Sequence, residues 1–235
     1  MAPPKKKILA LIPARGGSKG ISQKSTADLG GIPLITHSIR AAGQAKLISR
    51  VVVATDGEEI ARVARKYRAS VVRLPRKLTG DKSPVIGSAL YAISELEKQG
   101  EFFDAVALLE PTSPLRKEGD IDNAIKILLK NYSRTDAVIS LGEVHIENPY
   151  IMKKIDKGYI KPLMAEKNIP RQLLPKVYFP YGVIYLCKTA VLKEQKTFYP
   201  KRIMPYLIER WQNYEIDDRF DLNCVEAILK SLKKQ

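Results

Sequence analysis

Short apolar runs alternate with amphipathic stretches over the first 141 residues of this chain. The apolar runs predict buried strands at residues 7–13, 50–54, 70–73, 105–109 and 137–141. Apolar residues at helical spacing predict helices between them, at residues 33–45, 58–67, 83–99 and 119–131. This alternation restricts the chain to an α/β fold, a mostly parallel sheet with helices on both faces.

The pattern changes after residue 141. Residues 148–174 combine short mixed strands with many cations, so we predict an excursion over residues 145–175 rather than another strand–helix unit. Residues 178–186 again predict a strand, and residues 221–232 predict a C-terminal helix. The 235 residues are enough for one α/β domain with a sizeable core, and we expect residues 1–235 to form a single domain that carries the excursion.

The first predicted strand stops at a loop of glycines and cations. This loop combines glycines for close backbone approach with a hydroxyl and three positive charges: Gly16, Gly17, Gly20, Ser18, Arg15, Lys19 and Lys24. It has neither the Walker A pattern nor the glycine pattern of dinucleotide-binding loops. Because it opens the first strand-to-helix connection, where nucleotides bind in open α/β sheets, we predict a polyphosphate site rather than a basic surface turn.

The composition argues against several classes of function. The chain has two distant cysteines and two histidines without metal-ligand spacing, so a zinc site or a Ser-His-Asp triad is poorly supported. Such cysteine usage favours a reduced, cytoplasmic protein, and without a run of about 18 apolar residues no membrane span is expected. The net charge of +15 is spread along the chain, so we expect it to attract anionic substrates rather than nucleic acid.

An acidic cluster near the C-terminus gives a candidate metal site. Alternation in an extended segment puts Glu215 and Asp217 on one side and Asp218 on the other. Two carboxylates that face a triphosphate can hold Mg²⁺, which prefers oxygen ligands. The alternative is a solvated acidic turn with Asp218 or Asp221 near a helix N-cap, and the presence of a phosphate loop favours the metal.

Three further segments carry weaker signals. Asp56 and residues 110–113 follow predicted strands, where functional residues gather in open α/β sheets. Residues 73–81 mix cations with turn-forming residues, and this pattern by itself predicts a surface loop. Arg171 and Gln172 lie in the excursion, and the guanidinium could pair with a substrate carboxylate.

Two motifs resemble a known family. Residues 12–21, with the sequence IPARGGSKGI, strongly resemble the opening signature of the acylneuraminate cytidylyltransferases, also called CMP-sialic acid synthetases. Residues 111–116, with the sequence PTSPLR, match a second motif of that family. Supporting matches follow in the family's order, at residues 51–56, 78–81, 170–175, 182–185 and 215–217. The resemblance covers nearly the whole chain and implies a Rossmann-like nucleotidyltransferase fold.

The resemblance implies a reaction. The family transfers CMP from CTP to the anomeric hydroxyl of a 2-keto-3-deoxy sugar acid, and pyrophosphate leaves. The nearest alternative is a Kdo-type or other sugar nucleotidyltransferase, whose opening loop lacks the Gly-Gly-Ser-Lys-Gly arrangement. A non-catalytic nucleotide- or RNA-binding module is the alternative from another class, and retention of Glu215 and Asp217 argues against it.

The resemblance also implies site residues. The nucleotide would contact Ala14, Arg15, Gly16, Gly17, Ser18, Lys19, Lys24, Ser25 and Asp81. The sugar acid would contact Glu110, Thr112, Ser113, Arg171, Gln172, Tyr181, Tyr185, Phe198 and Tyr199. Mg²⁺ would be bound by Glu215 and Asp217, and the catalytic residues would be Arg15, Lys24 and Asp217. A homodimer is implied, with the excursion at residues 145–175 crossing to the partner.

The chain departs from the family pattern mainly on the sugar side. Glu110 replaces a glutamine, Tyr181 replaces an asparagine and Glu215 replaces one of a common pair of aspartates. Ser25 replaces an asparagine after Lys24, and Leu74 replaces an arginine, with Arg73 and Arg76 nearby. A buried carboxylate at position 110 would repel a sugar carboxylate unless it accepts hydrogen bonds from hydroxyl or amine groups. We therefore predict an acceptor such as a legionaminic-type or amino-substituted acid rather than N-acetylneuraminic acid.

Overall fold

The computed structural model of the chain describes residues 6–17, 21, 23–80, 83–164 and 170–232, without the side chain of Arg171. The predicted nucleotide contacts Ser18, Lys19 and Asp81 lie outside the described residues. Across the described ranges, no helix is both long enough and apolar enough to cross a membrane.

The strands and helices follow the predicted alternation. The strands are β1 (Ile8–Pro13), β2 (Asp28–Leu29), β3 (Ile32–Pro33), β4 (Arg50–Thr55), β5 (Ser70–Arg73), β6 (Ala105–Leu108), β7 (Ala137–Glu143), β8 (Lys153–Asp156), β9 (Tyr159–Pro162), β10 (Tyr178–Lys188) and β11 (Ile203–Leu207). The helices are α1 (Leu34–Gln44), α2 (Glu58–Lys66), α3 (Val85–Lys98), α4 (Asp120–Lys130), α5 (Thr189–Gln195) and α6 (Arg219–Leu232). Short 3₁₀ turns occur at Lys24–Thr26, Arg76–Leu78, Arg171–Leu173 and Arg210–Gln212. Every element predicted for the first 141 residues is present, with ends that agree to within about two residues.

Seven of the described strands form one sheet in the order β5-β4-β1-β6-β10-β7-β11. β10 is antiparallel to both of its neighbours, and the other adjacent pairs are parallel. The side chains on both faces of β1 are apolar, so both faces of the sheet are covered by helices. The β1 residues Ile8, Ala10 and Ile12 pack with α1, α2 and α4, whereas Leu9 and Leu11 pack with α3. The predicted fold class is confirmed.

The strand order reverses at β1. The chain runs from β1 to β4 and β5 on one side of the sheet and then places β6 on the other side of β1. A reversal of this kind opens a crevice beyond the carboxyl ends of the two central strands. The residues that follow β1 begin the predicted phosphate loop, and Glu110 follows β6. The topology therefore brings two predicted parts of the site together.

A wide bulge interrupts β10. Pro180 pairs with Leu141 of β7 and Tyr185 pairs with Ile139, so residues 181–184 lie opposite the single residue Ser140. The Ser140 hydroxyl is 2.5 Å from the carbonyl oxygen of Tyr181 and accepts a hydrogen bond from the Ile184 N–H at 2.9 Å. Bulges of this kind redirect side chains next to functional sites.

The sequence pattern does not indicate every element. Helix α5 and strand β11 lie between the last predicted strand and the C-terminal helix, and β11 is an edge strand that contains Pro205, where a missing N–H is tolerated. The predicted excursion contains the hairpin of β8 and β9, which pair with each other and with no other described strand. Its side chains are almost entirely exposed.

Candidate active site

A cleft of about 570 Å³ lies at the carboxyl ends of β1 and β6. Its size falls in the range of small-molecule sites, ~300–1,000 Å³. Its walls come from the phosphate loop, the start of α3 with the preceding loop, the end of β6 and the acidic cluster. The lining residues are Pro13, Ala14, Arg15, Gly17, Lys24, Ser25, Leu74, Ser83, Val85, Ser88, Glu110, Pro111, Thr112 and Asp217. The structure thus brings together most of the predicted nucleotide contacts, Glu110, Thr112 and one of the two predicted metal ligands.

An apolar cluster packs the acidic segment beside the phosphate loop. Ile216 is fully buried with Ile21, Leu29 and Leu115, and α6 packs against the same cluster. The Ile216 N–H donates to the Thr112 carbonyl oxygen at 2.8 Å, which fixes the segment beside the end of β6. Burial of Ile216 therefore sets where the side chains on either side of it project.

Lys24 and Asp217 meet across the cleft although they are 193 positions apart in the chain. The Lys24 Nζ donates to the Ile216 carbonyl oxygen at 2.9 Å and to Asp217 Oδ1 at 3.1 Å. The Asp217 side chain is 89% exposed, whereas that of Lys24 is 14% exposed. A largely buried cation thus lies beside an accessible carboxylate at the predicted phosphate site.

The phosphate loop is tied to two neighbouring loops. The Gly16 N–H donates to Asp56 Oδ1 at 2.8 Å, and a Cβ at Gly16 would lie 3.3 Å from the Gly57 Cα. Arg15 Nη1 donates to the Gly80 carbonyl oxygen at 2.6 Å. The amide of Gly16 is therefore engaged by a carboxylate, and the guanidinium of Arg15 secures the loop that precedes α3.

Part of the loop that the sequence pattern predicts at the surface reaches the cleft, within its described residues 73–80. Leu74 is buried and lines the cleft, and Ser88 Oγ donates to the Leu78 carbonyl oxygen at 3.3 Å. Arg73, which lies near the position of the family arginine, instead donates to the Gly57 carbonyl oxygen and pairs with Glu58. Adjacency of β5 to β4 brings this loop to the site, and the sequence pattern carries no signal of that adjacency.

Glu110 lies at the end of β6 with its carboxylate against the backbone of Gly182. A Cβ on Gly182 would be 2.4 Å from Glu110 Oε2, so only glycine leaves room for this side chain. Burial raises the pKa of Glu110 to about 7, with a smaller contribution from Glu215, although the positive charge of Arg116 opposes the rise. Glu110 thus changes its charge near neutral pH, inside the cleft.

Arg116 lies behind Glu110 and was not among the predicted site residues. Its guanidinium donates to the carbonyl oxygens of Val183 at 2.7 Å, Glu110 at 2.9 Å and Gly182 at 2.9 Å, and to Ser38 Oγ at 2.8 Å. Burial lowers the pKa of Arg116 to about 10, which leaves it charged at neutral pH. The PTSPLR segment was the one sequence signal that pointed to Arg116. Its role was not visible there, because its hydrogen-bond partners come from three separate parts of the chain.

The carboxylates of the acidic cluster have different surroundings. Glu215 Oε1 accepts hydrogen bonds from the Gly182 N–H at 2.6 Å and from Ser113 Oγ at 2.8 Å. Asp218 Oδ1 accepts the Asp221 N–H and Asp221 Oδ2 accepts the Asp218 N–H, so these two carboxylates cap α6. Among the described residues, no group of three or more His, Cys, Asp or Glu side chains is arranged to hold a metal ion.

Two of the predicted sugar contacts are buried. Ser113 is 1% exposed and donates its hydroxyl to Glu215 Oε1. Phe198 is 6% exposed and packs in the apolar cluster between the sheet and α3. Neither residue lines the cleft, and their contacts to the sugar acid stay predictions.

The other aromatic candidates lie along β10 and the segment after α5. Tyr185 pairs with Leu108 of β6, and its ring is 6.0 Å from that of the exposed Tyr199 in an edge-on arrangement. Burial and the charge of Glu110 raise the pKa of the Tyr185 phenol. Tyr181 begins the bulge, and burial followed by the charge of Glu215 raises its pKa. Gln172 is exposed on its 3₁₀ turn and is not among the described residues that line the cleft.

Comparison with known proteins gives a family. Residues 9–223 match the family model described as cytidylyltransferase. The chain is 34% identical to the CMP-N,N'-diacetyllegionaminic acid synthase of Legionella pneumophila, over 95% of this chain and 97% of the relative. It is 28% identical to an N-acylneuraminate cytidylyltransferase of Escherichia coli over 97% of this chain, which spans 54% of that longer relative. In fold it resembles a CMP:2-keto-3-deoxy-manno-octonic acid synthetase solved with CTP, with a TM-score of 0.71, 15% identity and coverage of 96% of this chain and 99% of the other. The predicted family is confirmed, and the chain belongs to the cytidylyltransferases.

Proposed function

We propose that the protein transfers CMP from CTP to the anomeric hydroxyl of a nonulosonic sugar acid and releases pyrophosphate. The observation that carries this proposal is the cleft beyond β1 and β6. In this cleft the largely buried Lys24 faces the accessible Asp217, and Arg15 follows the first strand. The names of the Legionella pneumophila and Escherichia coli relatives concern CMP transfer to acids of this class, which supports the reaction.

Fixed positive charge is what the reaction requires of this cleft. Nucleotidyl transfer develops negative charge on the α-phosphate and on the departing pyrophosphate. Lys24 is suited to meet this charge because two acceptors already hold its Nζ, so little reorganisation is needed. Arg15 would exchange the Gly80 carbonyl oxygen for a phosphate oxygen. We propose Ala14, Gly17 and Ser25 as further nucleotide contacts.

Mg²⁺ fits the donor chemistry of the nucleotide side. Mg²⁺ commonly keeps several waters and takes one or two carboxylates together with substrate phosphates. The exposed carboxylate of Asp217 matches this requirement, whereas one oxygen of Glu215 already accepts two hydrogen bonds. When bound, the ion would neutralise charge on the triphosphate. We propose Asp217 as the main protein ligand.

Glu110 is the residue that we propose to select the acceptor. With a pKa of about 7, its carboxyl group can accept hydrogen bonds when ionised and donate one when protonated. Such a group suits an acceptor that presents hydroxyl or amine substituents. The similarity to a CMP-N,N'-diacetyllegionaminic acid synthase supports a legionaminic-type acid. Thr112, Tyr181, Tyr185 and Tyr199 complete the proposed acceptor side.

We further propose a homodimer built through the β8–β9 hairpin. Ile155 and Ile160 pair across the hairpin and are 82% and 75% exposed. An isolated two-stranded hairpin is marginally stable in water, so these side chains need a packing partner. A second copy of the chain would supply that partner.

The free cysteines Cys187 and Cys224 agree with a reducing compartment, and we propose the cytoplasm.

The test is pyrophosphate release with CTP and Mg²⁺ over a panel of nonulosonic and ulosonic acids, with UTP, ATP and GTP as controls. We expect CTP-specific turnover with a legionaminic-type acid. Turnover with the eight-carbon 3-deoxy-manno-octulosonic acid alone would instead favour a Kdo-type enzyme. Salt-dependent RNA binding without turnover would favour a binding module.

A further inference from the structure

The bulge of β10 presents its central peptide groups to charged side chains. The Gly182 N–H donates to Glu215 Oε1 at 2.6 Å, and the Gly182 carbonyl oxygen accepts from Arg116 at 2.9 Å. The two peptide groups on either side of the Gly182 Cα thus each have a charged partner, and charge-assisted hydrogen bonds are roughly twice as strong as neutral ones. The two charges thus hold the centre of the bulge, while the Ser140 hydroxyl contacts Tyr181 and Ile184 at its ends.

The same two side chains fix the surroundings of the bulge. Glu215 Oε1 also accepts from Ser113 Oγ at 2.8 Å, which ties the bulge to the segment after β6. Arg116 also donates to the carbonyl oxygens of Glu110 and Val183. Hydrogen bonds therefore join the bulge, Glu110 and the segment after β6 into one unit.

Three of the proposed acceptor contacts lie on this unit. Tyr181 begins the bulge, Tyr185 ends it, and the carboxylate of Glu110 rests against Gly182 at a distance that excludes a Cβ. A shift of the Gly182 backbone would move all three side chains. Asp217 is outside the unit, since its carboxylate contacts Lys24 on the nucleotide side of the cleft.

We propose that Glu215 and Arg116 are positioning residues for the acceptor sugar acid, and that Glu215 does not serve as a metal ligand. Together they clamp Gly182 so that Tyr181, Tyr185 and Glu110 keep a fixed arrangement. The inference rests on the proposed function for its acceptor. It reverses the role that the acidic motif predicts for Glu215 and leaves Asp217 as the carboxylate for the metal.

Two conservative variants of Glu215 separate the roles. Glu215→Gln keeps the side-chain length and an oxygen that can accept from Gly182 and Ser113, but it lacks the charge that a metal ligand needs. Glu215→Asp keeps the charge, but its carboxylate is shorter by one C–C bond, about 1.5 Å, and cannot span both donors. If Glu215 holds Gly182 in place, glutamine should preserve its function better than aspartate. If Glu215 binds the metal, aspartate should preserve its function better than glutamine.

The experiment measures KM for the sugar acid, KM for CTP and the Mg²⁺ requirement of both variants, together with calorimetric binding of Mg²⁺ and CTP without sugar. Loss of hydrogen bonds to a charged group costs about 1.5–3 kcal/mol, so we expect Glu215→Asp to raise KM for the sugar acid by about tenfold or more. We expect a smaller increase for Glu215→Gln and wild-type binding of Mg²⁺ with CTP for both. Asp217→Asn should do the opposite and weaken binding of Mg²⁺ with CTP.

A matching test applies to Arg116. Arg116→Lys keeps the positive charge but loses the planar fork that reaches several carbonyl oxygens, so KM for the sugar acid should rise while KM for CTP does not. Glu118→Gln, at an exposed neighbour, is the control variant. Weaker binding of Mg²⁺ by Glu215→Gln than by Glu215→Asp, with KM for the sugar acid unchanged in both, would overturn the proposal.

Hydrogen exchange at the Gly182 amide distinguishes failure of this inference from failure of the proposed function. Absence of turnover by the wild-type protein on every acid would refute the proposed function and the acceptor role with it. Faster exchange at Gly182 in Glu215→Asp than in Glu215→Gln would still support the clamp, and equal exchange in both would refute it.

Discussion

The raised pKa of Glu110 makes the stability of the protein depend on pH, and Glu110→Gln should remove that dependence. The carboxyl group of Glu110 titrates at about 7 in the folded protein against 4.5 in its ordinary state. Because the folded state binds the proton more tightly, it carries more protons than the unfolded chain between these values. The free energy of unfolding therefore falls as pH rises through this window.

The size of the effect follows from the two pKa values. Each pKa unit corresponds to 1.36 kcal/mol, so ionised Glu110 costs the fold about 3 kcal/mol at pH 8, about 1 kcal/mol at pH 5 and almost nothing below about pH 4. Glutamine carries no charge at any of these pH values. We therefore expect the stability of Glu110→Gln relative to wild type to increase by about 2 kcal/mol between pH 5 and pH 8.

The measurement is urea-induced unfolding at pH 5 and pH 8, without CTP and with EDTA, so that neither nucleotide nor metal changes the charge of the cleft. Glu118→Gln makes the same chemical change at an exposed residue and is the control variant. A pH-independent difference for Glu110→Gln would refute the argument, because Glu110 would then ionise in the fold as it does in the unfolded chain.

Four further predictions concern turnover, specificity, packing and assembly. Arg15→Ala and Asp217→Ala should each lower pyrophosphate release by about 10²-fold or more, and near-normal release by both would contradict the proposed roles. Glu110→Gln should raise the relative kcat/KM for N-acetylneuraminic acid, and unchanged ratios over the sugar panel would count against a selective role. Gly182→Ala places a Cβ 2.4 Å from Glu110 Oε2 and should lower the free energy of unfolding in urea by about 1–3 kcal/mol. An unchanged unfolding midpoint would contradict this prediction. Ile155→Asp introduces a charge on the proposed dimer face and should give a monomer by analytical ultracentrifugation, and a mass equal to that of wild type would argue for another interface.

The sequence predicted the alternating strands and helices because their signals are local. The residues of β1 are apolar on both faces, as a central strand requires, and helical spacing of apolar residues located α1 to α4. The direction of β10 and the existence of β11 depend instead on pairing with strands distant in the chain. Periodicity specifies which face of a strand is buried, but not which neighbour pairs with it.

Some parts of the candidate site were also visible in the sequence, and others depend on the tertiary structure. The phosphate loop is a continuous stretch, so its glycines and cations were visible in the sequence. Arg116 was not assigned a role, because its function depends on acceptors from α1, the end of β6 and the bulge of β10. Phe198 and Ser113 were assigned to the sugar acid by family resemblance, and their burial is visible only in the tertiary structure.

The sequence by itself determined the alternation of elements, the chemistry of the phosphate loop and the presence of paired carboxylates near the C-terminus. Only the tertiary structure decided which carboxylate faces which partner. Burial of Ile216 beside Ile21 brings the two ends of the chain together and turns Asp217 toward Lys24. The bulge opposite Ser140 turns the Gly182 amide toward Glu215. Both outcomes depend on contacts between residues far apart in the chain, which short-range patterns of residue type do not encode.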